Sequence, residues 1–154
     1  MRQLVTPGLL WCSAIGCGVM AGVYFAFSTF IMTALARTGP GPGVAAMNAI
    51  NVEIVKSLFM PLFLGTTLTS AALLVIACFR LGEPGAAAML AGGAIYVLGM
   101  FAATAVFNVP LNDALAAADP SSAEEAALWT RYLSDWTVAS IASTVLFTIA
   151  LAAR

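Results

Sequence analysis

Four long apolar runs constrain this chain more than any other feature of its sequence. They cover about 9–35, 58–79, 86–107 and 137–152 of the 154 residues. A helix needs roughly 20 residues to cross the hydrocarbon of a bilayer, and lipid leaves no partner for backbone groups outside helices or closed barrels. We therefore predict an all-α membrane protein, with one domain over 1–154 that forms a four-helix transmembrane bundle.

The composition agrees with a membrane location and argues against several kinds of site. The chain is 62% hydrophobic and 8% charged, which is more apolar surface than a soluble domain of this length can bury. Its formal net charge of -1 gives no basic surface for nucleic acid. Histidine, the commonest metal ligand and general base, does not occur. The cysteines form no zinc or disulfide pattern, so we expect no metal and no cofactor.

The first and third connections between the runs are long and have helical patterns of their own. After a Gly/Pro breaker, the segment 44–57 has the pattern of an amphipathic helix at the membrane interface. In the connection 108–136, Asn112 and Asp113 predict the start of one short helix. Ser121 and Ser122, each followed three residues later by a glutamate, predict the capped start of another. We therefore expect short interfacial helices in both connections.

Four spans would place both termini on one side of the membrane and the two long connections on the other. Lys and Arg are divided equally between these sides, so the positive-inside rule does not decide the orientation. Termini and short hairpins are usually the internal parts. We therefore predict cytoplasmic termini in a bacterial plasma membrane.

Polar and aromatic side chains concentrate where the two long connections should meet. A pocket at this end of the bundle would suit a flat, lipophilic, partly polar ligand, because aromatic rings stack on its faces and amides orient its oxygens. Asp113 is the candidate catalytic base, since it is a carboxylate next to an apolar wall. The candidate substrate-binding residues are Asn48, Asn51, Asn108, Asn112, Trp129, Tyr132 and Trp136.

These residues also have structural interpretations. Trp129, Tyr132 and Trp136 are typical of an aromatic belt at the membrane interface. Asn108 could cap a helix, and Asp113 could be a residue that the helix dipole stabilises. Only the concentration of all of them at one end of the bundle favours function over structure.

Several segments in the same order resemble one known family. They are GVYFAFS at 22–28, AMNAIN at 46–51, NVPLNDAL at 108–115, and Trp129 and Tyr132 followed by DWT at 135–137. Together they resemble the anthrone oxygenase-like integral membrane family, also called the DUF1772 group. The chain departs from the family after Thr137, where many relatives continue with Asn and a nearby Arg.

The resemblance implies a four-helix membrane protein and, for some members, cofactor-independent oxygenation of anthrones to anthraquinones. That chemistry implies a base that forms the substrate carbanion, a flat hydrophobic slot and no metal. One hypothesis is therefore a membrane protein that binds or oxygenates a lipophilic aromatic substrate. The alternative is a non-catalytic module that binds lipid or quinone, or that stabilises a partner membrane protein or a homo-oligomer.

Overall fold

The computed structural model describes residues 2–119, 122 and 124–136, which form five helices and no strand. Helix α1 is α-helical over Arg2–Ala26 and Met32–Arg37, with a π-helical segment, Phe27–Ile31, between them. Helix α2 is Pro40–Lys56 and α3 is Phe59–Cys78. Helix α4 comprises Ala86–Ala94, two π-helical segments, Ile95–Ala102 and Thr104–Asn108, and a last α-helical part, Val109–Ala117. Helix α5 covers 124–136.

Three of these helices are long and apolar enough to cross a membrane, namely Val5–Arg37, Phe59–Cys78 and Ala86–Ala117. They confirm the first three predicted spans. Their outward side chains, such as Trp11 and Leu68, are large, apolar and exposed, which suits contact with lipid. The fourth predicted span, 137–152, lies outside the described residues. The orientation of the termini and the kind of membrane stay predictions.

The first connection forms the expected helix, but the helix begins earlier than predicted. Gly39 has a φ of 87°, a conformation that glycine adopts without the steric cost of a Cβ. Pro40 then takes a first-turn position of α2, where its missing N–H loses no hydrogen bond. Part of the predicted breaker is therefore the first turn of α2.

The prediction that Asn112 and Asp113 start a separate helix was wrong. Helix α4 continues through both residues to Ala117. A proline in the interior of an α-helix removes a hydrogen bond and clashes with the preceding turn. Pro110 directly follows the π-helical segment Thr104–Asn108, where the regular α-helical hydrogen-bond pattern is already interrupted, so the missing N–H of proline costs less there.

Helix α5 confirms the second helix predicted for the third connection. The Glu125 N–H donates to Ser122 Oγ at 2.9 Å, which caps the helix. Its inner face places Trp129, Tyr132 and Trp136 in a buried cluster with side chains of α1, α2 and α4. Helix α5 therefore lies against the end of the bundle with its aromatic residues inward.

Helices α1, α3 and α4 pack closely in the part of the bundle nearer the α3–α4 turn. Gly16 leaves no space for a side chain, because an added Cβ would overlap Thr66. An added Cβ at Gly93 would lie 2.8 Å from the Ser70 carbonyl oxygen. Small residues let helix backbones approach in lipid, where close packing replaces the hydrophobic drive.

Candidate functional site

A cavity of about 200 Å³ lies where the five described helices meet, at the end of the bundle away from the α3–α4 turn. Its lining residues come from each of these helices, and most of them are aliphatic or aromatic. They are Val23, Tyr24, Phe27, Met47, Ile50, Asn51, Ile54, Val55, Phe59, Met60, Phe63, Thr104, Asn108, Val109, Asn112 and Trp136. None of these described lining residues is acidic, basic or a cysteine.

Two π-helical segments contribute residues to the lining of the cavity. Phe27 begins the segment in α1, and Thr104 and Asn108 are the first and last residues of a segment in α4. A π-helical turn contains an extra residue, so it changes the direction in which the following side chains point, and such turns are frequent at functional sites. In α4, Asn108 is the last residue of such a segment and Asn112 follows it by four residues. Both asparagines were predicted as binding residues, and both line the cavity.

Tyr132 supports the cavity wall from behind. Its hydroxyl donates to Asn112 Oδ1 at 2.6 Å, and the side chain is fully buried. Burial raises the pKa of the Tyr132 phenol above its ordinary value, although the nearby Asn51 side chain acts in the opposite direction. The phenol therefore keeps its proton at neutral pH and remains a hydrogen-bond donor to Asn112.

Trp136 closes the cavity on the side of α1. Its ring is parallel to that of Tyr24, with centroids 6.2 Å apart and an interplanar angle of 6°. It also contacts Phe27, at a centroid distance of 5.4 Å. The Tyr24 hydroxyl in turn forms a 2.8 Å hydrogen bond with Thr104. These contacts tie α1, α4 and α5 together around one aromatic wall.

Trp129 and Asn48 lie farther from the cavity. The Trp129 ring stacks on Tyr132, with centroids 5.7 Å apart, and packs on Gly43, where an added Cβ would lie 2.7 Å from Trp129 Cζ2. Asn48 Nδ2 donates to the Leu115 carbonyl oxygen at 3.5 Å. Both residues therefore support the helices that carry the lining residues.

Asp113, the predicted base, does not belong to this cluster. It is exposed and is not one of the residues that line the cavity. Its neighbour Asn112 faces the cavity, and consecutive residues of a helix point about 100° apart. The catalytic role of Asp113 therefore stays a prediction without a contact in the cavity that supports it.

Tyr24 and Thr104 are candidate site residues that were not predicted from the sequence. Both line the cavity and bond to each other. A tyrosine within an apolar span is a signal that could have been used, because a buried phenol usually requires a partner. Thr104 carried no such signal, since threonine in a membrane helix commonly bonds to its own backbone.

Buried N–H groups without acceptors distinguish this end of the molecule. Among the described residues, the N–H groups Asn51 Nδ2, Trp129 Nε1 and Trp136 Nε1 are buried and complete no hydrogen bond. Asn51 and Trp136 line the cavity, whereas Trp129 lies behind the lining. A buried donor without an acceptor costs about 1–3 kcal/mol, so such groups are rare unless something else binds to them.

Comparison with known protein families identifies a match. Residues 52–153 match the model of a family described as anthrone oxygenase. The matched part contains Asn108, Asn112, Trp129, Tyr132 and Trp136, and it begins one residue after Asn51. No curated protein and no solved structure matches the chain. Because the matched residues make up more than half of the chain, the protein belongs to the anthrone oxygenase family.

Proposed function

We propose that this protein binds a compact, flat, lipophilic aromatic compound in the cavity and oxygenates it without a metal. The observation that carries the proposal is a cavity with an apolar wall, placed among membrane-crossing helices, that also contains amide and indole groups. Apolar walls with a few polar groups are typical of small-molecule sites. A ligand dissolved in the bilayer could reach such a site without crossing water.

The volume limits the size of the ligand. Pockets for drug-sized molecules have roughly 300–1,000 Å³, and this cavity has about 200 Å³. A few fused rings fit this limit better than a folded chain such as a phospholipid acyl group. Flat rings would also use the Tyr24–Trp136 wall, because aromatic faces favour stacked contacts.

The family name suggests the reaction. An anthrone has a methylene carbon opposite a ring carbonyl, and transfer of one methylene proton to water gives an enolate. The enolate donates electrons to dioxygen, whose first oxygen atom becomes the new carbonyl of an anthraquinone. The second oxygen leaves as water with the two hydrogens of the methylene carbon. In this scheme Asn51, Asn108 and Asn112 bind substrate oxygens, and Trp136 holds the rings.

Turnover by the purified protein in lipid nanodiscs tests the proposal. We expect anthrone to be converted to anthraquinone with the uptake of one dioxygen per product, measured by chromatography with mass detection and by an oxygen electrode. Empty nanodiscs give the background rate of autoxidation. A rate equal to this background, together with no binding of anthrone, would contradict the proposal, whereas binding without turnover would favour a ligand-binding module.

Two matched pairs of variants sharpen the experiment. Met60→Trp fills the cavity from α3, whereas Leu64→Trp adds the same ring to an exposed position one turn away. We expect only the first to abolish binding and turnover. Asn112→Ala is expected to lower turnover, whereas Asp113→Asn is expected to leave it within about twofold, because Asp113 is exposed. A large loss in Asp113→Asn would restore its predicted role as base.

A further inference from the structure

Three residues that line the cavity, Asn51, Asn112 and Trp136, carry N–H donors. Asn51 Nδ2 and Trp136 Nε1 are buried and complete no hydrogen bond among the described residues, and Trp136 is only 7% exposed. The oxygen near Asn51 is that of the Tyr132 hydroxyl, whose own proton goes to Asn112. Asn112 supplies a third donor. Because Tyr132 donates to its Oδ1, the Nδ2 group is the polar end of this amide that remains for the cavity. The torsion of an amide side chain has a broad preference, so a small rotation can aim Asn51 at a ligand.

The charged residues near these donors do not supply a competing acceptor. On α2 and α5, Lys56 pairs with Glu53 at 3.2 Å and Arg131 pairs with Asp135 at 3.0 Å, and all four side chains are exposed. The remaining charged or titratable residues of the packed elements are outside the described lining. Among the described side chains they are Cys12, Cys17 and Arg37 on α1, Cys78 on α3, Tyr96 and Asp113 on α4, and Glu124, Glu125 and Tyr132 on α5. The only titratable lining residue among those described is Tyr24.

We propose that Asn51, Asn112 and Trp136 form an oxyanion site that binds the ionised oxygen of a phenol or enol in preference to the neutral compound. The inference depends on the cavity of the proposed function but not on oxygenation. Hydrogen bonds to an ionised acceptor are roughly twice as strong as neutral ones. Donors fixed in advance where negative charge resides are the main way in which enzymes stabilise enolates.

Two effects on the ligand oppose each other. Transfer of an anion into an apolar cavity disfavours the charged form, and hydrogen bonds from donors favour it. Two or three N–H bonds to one carboxylate are enough to lower its pKa well below the ordinary value. We therefore expect the donors to outweigh desolvation here. The released proton goes to the buffer, so the described lining needs no carboxylate to take it up.

The experiment uses a hydroxyanthraquinone, whose ionised form absorbs at longer wavelength than the neutral form. Its absorbance is titrated with pH in nanodiscs of zwitterionic lipid, with and without the protein. We expect the pKa of the bound probe to lie about one unit or more below its value in empty nanodiscs. The O-methyl ether of the probe, which cannot ionise, measures binding to the same cavity without charge.

Variants test the assignment of the donors. Trp136→Phe and Asn51→Leu remove one donor each, and we expect each to reduce the shift while affinity for the methyl ether changes less than about threefold. Asn51→Asp places a negative oxygen in the same volume, so it should raise the pKa of the bound probe. Trp11→Phe, at a position that is 71% exposed on α1, is the matched control and should leave the shift unchanged.

The outcomes separate this inference from the proposed function. A bound probe with an unchanged or raised pKa would overturn the oxyanion site. A pKa shift in Trp136→Phe and Asn51→Leu that is as large as in the wild type would overturn it as well. If the methyl ether still binds in that case, the proposed cavity stands. If neither compound binds, both proposals fail. Retained binding of the ether by each variant shows that the variant is folded, so a lost shift then supports the inference.

Discussion

Near the α3–α4 turn, Ser13 Oγ and Ser70 Oγ lie 3.0 Å apart and join α1 to α3. At the other end of the bundle, Asn51 Nδ2 and Trp136 Nε1 complete no hydrogen bond among the described residues. The first end, which we call the packed end, uses its polar groups to hold helices together. The second, the cavity end, leaves donors unused although each costs stability.

Side-chain size explains much of the difference. Gly16 and Gly93 allow helix backbones to approach at the packed end, so small hydroxyl groups can reach each other. At the cavity end, Tyr24, Phe27 and Trp136 keep the helices apart, and the π-helical segments interrupt regular α-helical packing. Donors that cannot reach a neighbouring helix are then available to a ligand.

The largest change in stability is expected when a side chain is added at the packed end. Gly93→Ala places a Cβ 2.8 Å from the Ser70 carbonyl oxygen, and this backbone oxygen cannot move without shifting α3. We expect the free energy of unfolding to fall by about 1–3 kcal/mol, measured by denaturation in mixed micelles. Gly18→Ala, which meets open space, is the control. Equal stability of the two variants would show that the packed end is looser than described.

Gly43→Ala tests packing at the cavity end. The new methyl group would lie 2.7 Å from Trp129 Cζ2 and 3.0 Å from the Leu35 carbonyl oxygen. We expect a loss of about 1–2 kcal/mol in stability and weaker ligand binding, because Trp129 supports Tyr132. Near-ultraviolet circular dichroism would report the change in aromatic packing. Gly41→Ala, where an added Cβ has no neighbour within 4 Å, should have the stability of the wild type. A similar loss of stability in Gly41→Ala would show that contact with Trp129 is not the cause.

Alkaline pH should destabilise the cavity end through Tyr132. Its pKa is raised in the folded protein by burial, so above about pH 10 the folded state binds more protons than the unfolded state. Stability therefore falls as pH rises, by about 1.4 kcal/mol per pH unit at most. Denaturation between pH 9 and pH 11 should show a smaller decrease in Tyr132→Phe than in the wild type. If stability fell equally with pH in Tyr132→Phe and in the wild type, the assignment of this pH dependence to Tyr132 would be contradicted.

Tyr132→Phe at neutral pH is the mildest change. It removes the hydroxyl that bonds to Asn112 Oδ1 but keeps the ring that stacks on Trp129. We expect a loss of about 1 kcal/mol in stability and about fivefold weaker binding of an oxygen-bearing ligand, as the amide is no longer oriented. Affinity for the matching hydrocarbon should not change. Thr130→Val, which removes an exposed bond to the Ala126 carbonyl oxygen, is the control.

Much of the candidate site could be predicted because it follows from residue type and helical spacing. Asn51, Asn108, Asn112 and Trp136 were predicted and line the cavity. Trp129, Tyr132 and Asn48 were predicted as binding residues, and the structure places them behind the lining. Asp113 was predicted as the base only because it is a carboxylate. Its position on α4 leaves its side chain exposed and outside the cavity lining.

The sequence by itself determined three helices long and apolar enough to cross a membrane, the amphipathic helix α2 and the capped helix α5, because apolar length, periodicity and capping are local properties. Only the tertiary structure decided that α4 continues through Pro110 and that Tyr24 meets Thr104 and Trp136. These features depend on π-helical turns and on contacts between residues far apart in the chain. No local pattern specifies them, since the packing of the other helices selects them.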